Sequence, residues 1–492
     1  MTGRISDLIA RNVEKRADAP AIKDYDGQVY DWRSYAGLID TAAALLRANG
    51  AAPGERVMIV GENCLAVPAL IFAAAQVGAW AVPVNARMSS SELAQVTAHA
   101  KPALTLYTSH VSEEAKRHAG DAGPIDAGFG ALQMHRDKRN PAPDPEIAVL
   151  LYTNQSTDGP MGVMLSHQNL LFAAKASAQL RGMTERDHIY GALPLTHVFG
   201  VASMMMAAAH AGAMVELVTR FDPARLFEAL QKGATVMPAV PQMHALLMAH
   251  AKEHGHTKLR RSKLRYVSSG AAPLDPAWKK QAETFYGIAL QNGYGMTEST
   301  SGISATGNRM GDPDTSVGPP LPGVEVALDY GLGADAQVGE VLTRGPHVMA
   351  GYFRNPEATA QAIKDGWLRT GDLGHIDDEG RLHIVGRAKE LIIRGGFNVY
   401  PPEVEAALNS HPGVVQSAVI GRAANGDEEV LAFVQPRPGA GVTVTDLTDH
   451  VARRLTGHKR PTSIVLADTL PATATGQILK HKLLEVFGGR LC

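Results

Sequence analysis

The sequence predicts an α/β fold, with a large N-terminal domain of parallel-rich sheets flanked by helices, a β-rich subdomain, and a small α+β C-terminal domain. Three observations carry this prediction. The chain has 492 residues, which is more than one hydrophobic core ordinarily holds. Short apolar runs alternate with alanine- and leucine-rich helical segments, as in βαβ units. After Gly318, short strands and turns replace that alternation.

The N-terminal domain is predicted to alternate strands with helices. Helices are expected at Ser34–Ala48 and Pro223–Gln231, where apolar residues recur at helical spacing. Strands are expected at the apolar runs Arg56–Val60, Trp80–Val84, Ala103–Tyr107, Ile147–Tyr152, Ala213–Leu217, Ala234–Met237 and Tyr266–Ser269. Because helical segments alternate with these runs, we expect parallel sheets with helices packed on both faces.

Two early segments bear on membrane insertion. The N-terminus is charged, and its apolar residues have helical spacing, which predicts a surface helix rather than a signal peptide. The stretch Leu65–Val84 is uncharged and almost long enough to span a bilayer, but Pro68, Gln76, Gly78 and Pro83 divide it. We therefore expect a buried helix followed by a strand, and no membrane span.

Composition narrows the possible partners. The 47 basic and 49 acidic residues give a net charge of −2, which offers no broad positive surface for nucleic acid. The only cysteines are Cys64 and Cys492, so neither a disulfide framework nor a thiolate metal cluster is expected. A cytoplasmic protein with small-molecule partners fits best, as a monomer or a homodimer.

The β-rich subdomain is expected at about 319–387. Its predicted strands are Val324–Leu328, Gly339–Thr343, Gly374–Ile376 and Leu382–Val385, the last two joined as a hairpin across DDEG. The C-terminal domain is expected to contain Glu390–Ile393, the helix Pro402–Asn409, the strands Val414–Ile420 and Glu429–Gln435, and the helix Val444–Arg454. A boundary at Gly386–Lys389 then gives domains 1–387 and 388–492.

Residues 152–163, YTNQSTDGPMGV, raise the question of phosphate binding. They lie between the apolar run Ile147–Leu151 and a helix that Ser166 is expected to open. A strand, a glycine-rich loop and a helix together direct backbone N–H groups at an anion. The usual nucleotide-binding loops carry a lysine, and Met161 stands at that place here.

Six segments occur in order along nearly the whole chain: SSGAAPL (268–274), NGYGMTES (292–299), GEVLTRGPHVMAGYFRNPEAT (339–359), DGWLRTGDLG (365–374), GRAKELIIRGGFNVYPPEVE (386–405) and PATATGQILKHKL (471–483). Together they resemble the adenylate-forming superfamily, in its acyl-CoA synthetase branch. The resemblance implies that ATP and Mg²⁺ convert a carboxylic acid into an acyl-adenylate, which a thiol such as CoA then attacks. It also implies a mobile C-terminal lid domain. Joining AMP to the acid supplies the leaving group that a carboxylate lacks.

The resemblance assigns the adenine contacts to small residues and one aromatic ring. Gly270, Ala271 and Ala272 would form one wall of the adenine slot, where small side chains let the base approach the backbone. Tyr294 would stack on the base. The alternative for the SSGAAPL segment is an ordinary turn at a strand end.

The resemblance also assigns the metal, phosphate and ribose contacts. Glu298 would bind Mg²⁺ and Thr297 would contact the α-phosphate, because hard oxygen ligands suit both. Asp372 would accept hydrogen bonds from the ribose hydroxyls, with help from Arg387. The alternative for Arg387 is an ordinary surface ion pair.

Three further positions match the hinge and the thiol tunnel. Lys389 would be the hinge, at which a change in φ and ψ swings the small domain. Gly395 and Gly396 would let the backbone line the pantetheine tunnel. The alternatives are a solvated lysine and a plain β-turn.

His197 in LPLTHVFG would lie at the gate of the acyl pocket, although a lone histidine is more often a satisfied core residue. The apolar residues around it carry no fixed cation, which predicts an acid that is uncharged beyond its carboxylate; they are Phe199, Val201, Met204, Met205 and Met243. An ordinary methionine-rich core is the alternative.

The sequence departs from the family in the phosphate loop. The family pattern Y-T-S-G-T-T-G-x-P-K-G puts four substitutions into this loop: Asn154 for Ser, Gln155 for Gly, Asp158 for Gly and Met161 for Lys. The lost glycines restrict the backbone, and the charge changes oppose phosphate binding. Ser156 and Thr157 remain as hydroxyl donors, with Gly159 and Gly162 beside them.

A second departure is Gln477, where the family has the lysine that bridges the carboxylate and the α-phosphate during adenylation. Deleting such a preorganised donor typically costs about a hundred- to a thousandfold in rate. Lys480 lies nearby and could replace it in part. Both departures affect the half-reaction that uses ATP.

The sequence thus predicts an ATP-dependent carboxylate:CoA ligase whose adenylation is impaired by Met161 and Gln477. A free-standing carrier protein is an alternative thiol partner. A non-catalytic protein that binds an acyl-adenylate or CoA is a second alternative, and a chain deliberately disabled at its lysines is a third explanation of the substitutions.

Overall fold

A computed structural model describes residues 3–138, 140–141, 144, 146–153, 159–270, 274–332, 337–424, 427–472 and 478–491. Contacts divide the chain into two compact units. The first comprises Met1–Glu325 and Thr343–Leu368, and the second comprises Val326–Leu342 and Arg369–Cys492. The domain boundary expected at Gly386–Lys389 concerns the mobile lid, and it stays a prediction.

The strands are, in chain order, β1 (Pro20–Lys23), β2 (Val29–Asp31), β3 (Arg56–Gly61), β4 (Trp80–Asn85), β5 (Leu104–Tyr107), β6 (Gly123–Asp126), β7 (Ala131–Arg136), β8 (Ile147–Thr153), β9 (Met161–Ser166), β10 (His188–Gly191), β11 (Met214–Leu217), β12 (Val236–Ala239), β13 (Tyr266–Gly270), β14 (Leu290–Tyr294), β15 (Ser304–Ala305), β16 (Glu325–Asp329), β17 (Gly339–Arg344), β18 (Gly351–Tyr352), β19 (Ile363–Lys364), β20 (Trp367–Ile376), β21 (Leu382–Arg387), β22 (Ile392–Arg394), β23 (Phe397–Val399), β24 (Val414–Ala424), β25 (Asp427–Pro436) and β26 (Ser463–Leu466).

The α-helices are α1 (Asp7–Arg16), α2 (Trp32–Ala48), α3 (Ala66–Val77), α4 (Ser90–Ala100), α5 (Glu113–Ala119), α6 (His167–Leu180), α7 (Ala207–Ala211), α8 (Pro223–Lys232), α9 (Pro241–Glu253), α10 (Pro276–Tyr286), α11 (Pro356–Ala362), α12 (Pro401–Asn409), α13 (Val444–Ala452) and α14 (Leu483–Phe487). A π-helix, Phe199–Met206, leads into α7.

Two sheets build the first unit. The strand order of one is β15-β14-β13-β12-β10-β11-β1-β2, and that of the other is β18-β9-β8-β4-β3-β5-β7-β6. Their central strands are parallel, and antiparallel strands complete the edges. A hydrophobic core that includes Trp32, Ile59 and Phe72 draws side chains from both the strands and the helices. This is the predicted α/β architecture.

The apolar stretch Leu65–Val84 forms a buried helix followed by a strand, as expected. Every residue of α3 except Gln76 is buried, and Gly78 ends the helix at a φ of 81°. That left-handed conformation suits glycine, which has no Cβ to clash. Among the described residues, no helix is long and apolar enough to cross a membrane.

The segment after the phosphate loop differs from the expectation. A strand, β9, follows the loop and pairs antiparallel with β8, and α6 begins only after it. Val163 and Leu165 are buried, while Met164 between them is half-buried, so the segment has the two-residue period of a strand. Ser166 caps α6 through a capping box with Asn169, which confirms the predicted helix start.

The β-rich subdomain has the strand order β16-β17-β20-β19, with β21 paired to β20 across the expected hairpin. The C-terminal part adds the pair β22-β23 and the sheet β24-β25-β26. The sheet β24-β25-β26 packs against α12, α13 and α14. Val419 and Phe433 of the sheet and Val451 of α13 are among the buried residues. The C-terminal part is therefore α+β, as predicted.

Candidate active site

The strands β13 and β14 bring two of the motifs together in the first unit. They are parallel neighbours, and Gly270 at the end of β13 pairs with Gly293 of β14. Ligands of such sheets bind outside the carboxyl ends of the strands. A Cβ at Gly270 would lie 3.3 Å from Cε1 of Phe199, so the Phe199 ring lies close to the backbone of Gly270. Ala271 and Ala272 lie outside the described residues.

The end of β14 carries Tyr294, and the turn after it carries Thr297 and Glu298. Glu298 is 3% exposed and lies on a 3-10 turn, Thr297–Ser299, whereas Tyr294 and Thr297 are half-buried. The hydroxyl of Tyr352 donates a hydrogen bond to Oε1 of Glu298 at 3.0 Å. Burial, followed by the charge of Glu298, raises the pKa of Tyr352, which keeps this hydroxyl protonated.

The backbone of this turn is unusual in two ways. A Cβ at Gly295 would lie 1.2 Å from the carbonyl oxygen of Ser301, so only glycine fits. Thr300 and Ser301 have φ angles of 48° and 89°, a region that residues other than glycine rarely adopt. The Thr300 hydroxyl donates to the carbonyl of His347 at 2.7 Å and helps to hold this conformation.

Strands β8 and β9 bracket the phosphate loop, and Thr153 pairs with Met161 across its base. Gly159 has a φ of 116°, which favours glycine. A Cβ at Gly162 would lie 3.0 Å from Cδ1 of Leu150. The other loop residues for which the sequence makes predictions lie outside the described residues: Asn154, Gln155, Ser156, Thr157 and Asp158.

Met161 occupies the place of the expected lysine. The side chain is half-buried, and Nδ2 of Asn355 lies 3.8 Å from its sulfur as a hydrogen-bond donor. The Asn355 side chain also caps α11 by accepting from the backbone N–H of Ala358 at 2.9 Å. A neutral thioether in a fixed contact therefore stands where a mobile cation is expected.

His197 precedes the π-helix. Its Nδ1 accepts from the backbone N–H of Phe199 at 3.2 Å. Burial lowers the pKa of His197, although the residue as a whole is exposed by surface area. Its ring is then neutral at pH 7, with Nε2 carrying the proton.

The apolar residues around His197 divide into two groups. Val201, Met204 and Met205 are buried in the hydrophobic core, while Phe199 and Met243 are half-buried. Only Phe199 and Met243 therefore keep partial access to a ligand in this conformation.

Sequence reasoning missed a buried cation, Arg181, that contacts the π-helix. Nη2 of Arg181, at the end of α6, donates to Oγ of Ser203 at 2.6 Å. Arg181 is 6% exposed, and burial lowers its pKa. This contact places a buried cation against the π-helix, and no sequence pattern pointed to it.

The second unit pairs Asp372 with Arg387. They are register partners on β20 and β21, and Nε of Arg387 lies 3.3 Å from Oδ1 of Asp372. Asp372 is buried and Arg387 is half-buried. The structure therefore joins the two residues that were assigned to the ribose.

The glycines assigned to the thiol tunnel lie in the turn between β22 and β23. Gly395 and Gly396 have φ angles of 58° and 79°, and Arg394 pairs with Phe397 across them. Two left-handed residues define a type I′ hairpin turn, which alone explains both glycines. Their role in a tunnel stays a prediction. Lys389 is exposed on a 3-10 turn, and its hinge role also stays a prediction.

Lys480 is held by two carboxylates of its own unit. Its Nζ lies 2.6 Å from Oε2 of Glu390 and 2.9 Å from Oε1 of Glu405. Burial alone would lower the pKa of Lys480, but the two carboxylates outweigh it and raise the pKa. Gln477 lies outside the described residues.

Comparison with known proteins decides the family. The model of the AMP-binding enzymes matches residues 9–353, and the model of the AMP-binding enzyme C-terminal domain matches residues 403–477. The chain belongs to the AMP-binding enzyme family. The adenylate-forming resemblance is thereby confirmed.

Similar AMP-binding enzymes include CoA ligases. Feruloyl-CoA synthase from an Amycolatopsis species is 33% identical over 465 residues, which are 92% of this chain and 94% of that protein. ATP-bound MatB from Rhodopseudomonas palustris has a TM-score of 0.83 at 29% identity, over 98% of this chain and 99% of the other. o-Succinylbenzoate CoA synthetase (MenE) from Bacillus subtilis, with ATP and a magnesium ion, has a TM-score of 0.84 at 27% identity, over 97% and 98%.

AMP-binding enzymes of the CoA ligase kind use ATP, Mg²⁺ and CoA, and the residues of this chain fit Mg²⁺ in chemical type. A buried carboxylate and a neighbouring hydroxyl, from Glu298 and Thr297, are the hard oxygen donors that Mg²⁺ prefers. Among the described residues, no group of three or more His, Cys, Asp or Glu is arranged so that it could hold a metal ion. Mg²⁺ at nucleotide sites commonly needs fewer than three protein ligands, since phosphates and water supply the others.

Proposed function

We propose that this AMP-binding enzyme is an ATP-dependent carboxylate:CoA ligase that forms an acyl- or aryl-CoA through an acyl-adenylate, and that its adenylation step is impaired. The observation that carries the proposal is the buried Glu298 beside the carboxyl ends of β13 and β14. A carboxylate at the carboxyl ends of parallel strands lies where such sheets bind their ligands, and its oxygen atoms are of the hard type that Mg²⁺ prefers.

Each residue has a proposed role. Glu298 binds Mg²⁺, Thr297 contacts the α-phosphate, and Tyr294 stacks on adenine beside Gly270. The remaining proposed contacts are Ser156, Thr157, Gly159 and Gly162 to phosphates, Ala271 and Ala272 to adenine, Asp372 and Arg387 to ribose, Lys389 at the hinge, Gly395 and Gly396 at the thiol tunnel, and His197 at the acyl gate. The pairing of the buried Asp372 with the half-buried Arg387 supports the ribose role, because it orients the carboxylate.

The proposed impairment comes from Met161 and Gln477. The contact between Met161 and Asn355 supports it, since the thioether cannot supply the charge of a lysine to a phosphate. Lys480 can supply the charge missing at Gln477 only by leaving Glu390 and Glu405. Such a rescue costs two charge-assisted hydrogen bonds.

The test is pyrophosphate release that depends on a carboxylic acid. Its panel of acids follows the names of the relatives: ferulate, a long-chain fatty acid, oxalate, indoleacetate and 2-succinylbenzoate. We expect the double variant Met161→Lys/Gln477→Lys to release pyrophosphate about a hundredfold faster than the wild-type chain with at least one acid. Background release by a folded double variant with every acid would refute the ligase proposal for this panel.

The same two substitutions support a second candidate, a non-catalytic protein that binds an acyl-adenylate or CoA. Calorimetry with MgATP, AMP and CoA separates the candidates. A ligase binds MgATP, whereas a binding protein of this kind takes AMP or CoA alone. Adding a free-standing carrier protein to the thiolysis assay tests the other thiol acceptor.

A further inference from the structure

The segment GPHVMAGYF, residues 345–353, is fastened to the turn that carries Glu298. The backbone N–H of Met349 donates to the carbonyl of Glu298 at 2.8 Å. The carbonyl of His347 accepts from the Thr300 hydroxyl at 2.7 Å. These two hydrogen bonds fix the segment against the turn.

The same segment is also fastened to the strand that leaves the phosphate loop. Tyr352 pairs with Val163 of β9, and the N–H of Phe353 donates to the carbonyl of Gly162 at 2.7 Å. Nδ2 of Asn169, in the first turn of α6, donates to the carbonyls of Pro346 and Val348 at 2.8 Å each. One segment thus connects the metal carboxylate with the base of the phosphate loop.

Tyr352 completes this connection with its side chain. We propose that Tyr352 is a positioning residue: its hydroxyl fixes the Glu298 carboxylate in the orientation that binds Mg²⁺ and ties it to the phosphate loop through β18 and β9. The inference rests on the proposed function, in which Glu298 is the metal ligand. A carboxylate rotates about its last side-chain bond, so a donor on Oε1 also sets the direction of Oε2.

The backbone of Tyr352 is held independently of its ring. Its N–H donates to Oγ1 of Thr359 at 2.9 Å, and the Thr359 hydroxyl donates to the carbonyl of Asn355 at 2.9 Å. Strand β18 is therefore anchored from both sides, by β9 and by α11. Removing the Tyr352 hydroxyl should leave that backbone in place.

The test measures metal–nucleotide affinity rather than turnover. The dissociation constant of MnATP is determined by water-proton relaxation enhancement for the wild-type chain and for Tyr352→Phe. We expect MnATP to bind at least about tenfold more weakly to the variant, because hydrogen-bond partners of metal ligands typically contribute about ten- to a hundredfold. Calorimetric AMP affinity, which needs no metal, should be unchanged.

The matched control is Tyr286→Phe. The Tyr286 hydroxyl is also buried and hydrogen-bonded, 2.7 Å from Nδ1 of His244, and its partner among the described residues is therefore an imidazole rather than a carboxylate. Its loss should leave MnATP affinity within about twofold of the wild-type value. A loss equal to that of Tyr352→Phe would mean that any missing buried hydroxyl weakens the site, and it would overturn the proposal.

A double-mutant cycle with Glu298→Gln separates this inference from the proposed function. If Tyr352 acts through Glu298, Tyr352→Phe weakens MnATP binding little further in the Glu298→Gln background. If Glu298→Gln weakens binding but Tyr352→Phe does not, only the role of Tyr352 is wrong. If the wild-type chain binds no MnATP, or Glu298→Gln has no effect, the metal role of Glu298 fails and this inference falls with it.

Thr359→Ala serves as a second variant in case Tyr352→Phe does not fold. It removes the acceptor for the Tyr352 N–H and keeps the Tyr352 hydroxyl. We expect a smaller loss of MnATP affinity in the same direction, with AMP binding unchanged. An unchanged MnATP affinity for Thr359→Ala, together with a misfolded Tyr352→Phe, would count against a positioning role.

Discussion

Lys480 connects two parts of the second unit that are distant in sequence. Glu390 belongs to the 3-10 turn that contains Lys389, and Glu405 lies on α12. Oε1 of Glu405 also accepts from the backbone N–H of Val419 on β24 at 2.8 Å. One ammonium group thus joins the expected hinge, a helix and a strand, which is a structural role different from the rescue that its sequence position suggests.

At the residue scale, we predict that Lys480→Met destabilises the second unit by about 2 kcal/mol, below the 3–5 kcal/mol of fully buried pairs, since these groups are partly exposed. Burial raises the pKa of Glu405, and losing Lys480 removes the opposing effect. A group whose pKa is raised in the folded state stabilises the protein at low pH, and this stabilisation is lost as pH rises through the folded-state pKa. The loss should therefore be larger at pH 8 than at pH 5.

Differential scanning calorimetry at the two pH values checks this prediction. Lys482→Met is the control, because Lys482 is an exposed lysine of the same segment. Equal effects of the two substitutions would show that the ion pairs of Lys480 contribute nothing measurable.

The sequence names candidate site residues where a short motif contains them, as for Glu298, Asp372 and Arg387, and their roles stay predictions. It did not predict contacts between distant segments. The bond from Tyr352 to Glu298 joins positions 54 apart in sequence, and it depends on how β18 pairs with β9. Local propensity carries no information on such pairings, which tertiary packing decides.

At the scale of one element, the turn from Gly295 to Ser301 is the most constrained part of the candidate site. It reverses the chain between β14 and β15, because the N–H of Ile303 donates to the carbonyl of Tyr294 at 2.8 Å and the two strands are antiparallel. Left-handed backbone at Thr300 and Ser301 stores strain of about 1–3 kcal/mol per residue. Such strain commonly marks functional sites.

We predict that Gly295→Ala prevents this turn from forming, because its Cβ would overlap the carbonyl of Ser301. The melting temperature should fall, and MgATP binding should be lost. Gly307→Ala is the matched control, since a Cβ at Gly307 would meet no described atom within 4 Å. Thermal unfolding and calorimetric MgATP titration test both variants, and a normal Gly295→Ala protein would contradict the expected overlap.

Element types were predictable where period and length agreed, as for α2 and α8 and for seven strands of the two large sheets, namely β3, β4, β5, β8, β11, β12 and β13. The helix start at Ser166 was predicted correctly, but strand β9 before it was not predicted. The segment 161–166 is short, and periodicity alone identifies so short a strand poorly. Antiparallel pairing with β8 shows that β9 is a strand.

At the scale of the whole molecule, the first unit buries several histidines in neutral form. Burial lowers the pKa of His167, His244 and His347 to about 4. Their hydrogen bonds suit an uncharged ring; for example, Nδ1 of His167 accepts from the N–H of Ile5 at 3.2 Å. Unfolding releases these rings to a pKa of about 6.5.

We predict that acid destabilises the protein mainly between about pH 6.5 and pH 4. A group whose pKa is lower in the folded state stabilises the protein above its unfolded-state pKa, and this stabilisation is lost as pH falls. The free energy of unfolding then decreases by up to roughly 1.4 kcal/mol per pH unit for each histidine. Urea unfolding at a series of pH values measures the slope. His167→Asn should reduce it, while His481→Gln, at an exposed position, should not; equal slopes would refute the histidine explanation.

The two large sheets end in short strands, which has a consequence for expression at high concentration. Strands β15 and β18 have two residues each and β2 has three. Each offers a neighbouring molecule few unpaired N–H and C=O groups, and long edges of that kind are what template aggregation. The parallel strands, such as the fully buried β3, lie in the middle of their sheets and offer no free edge.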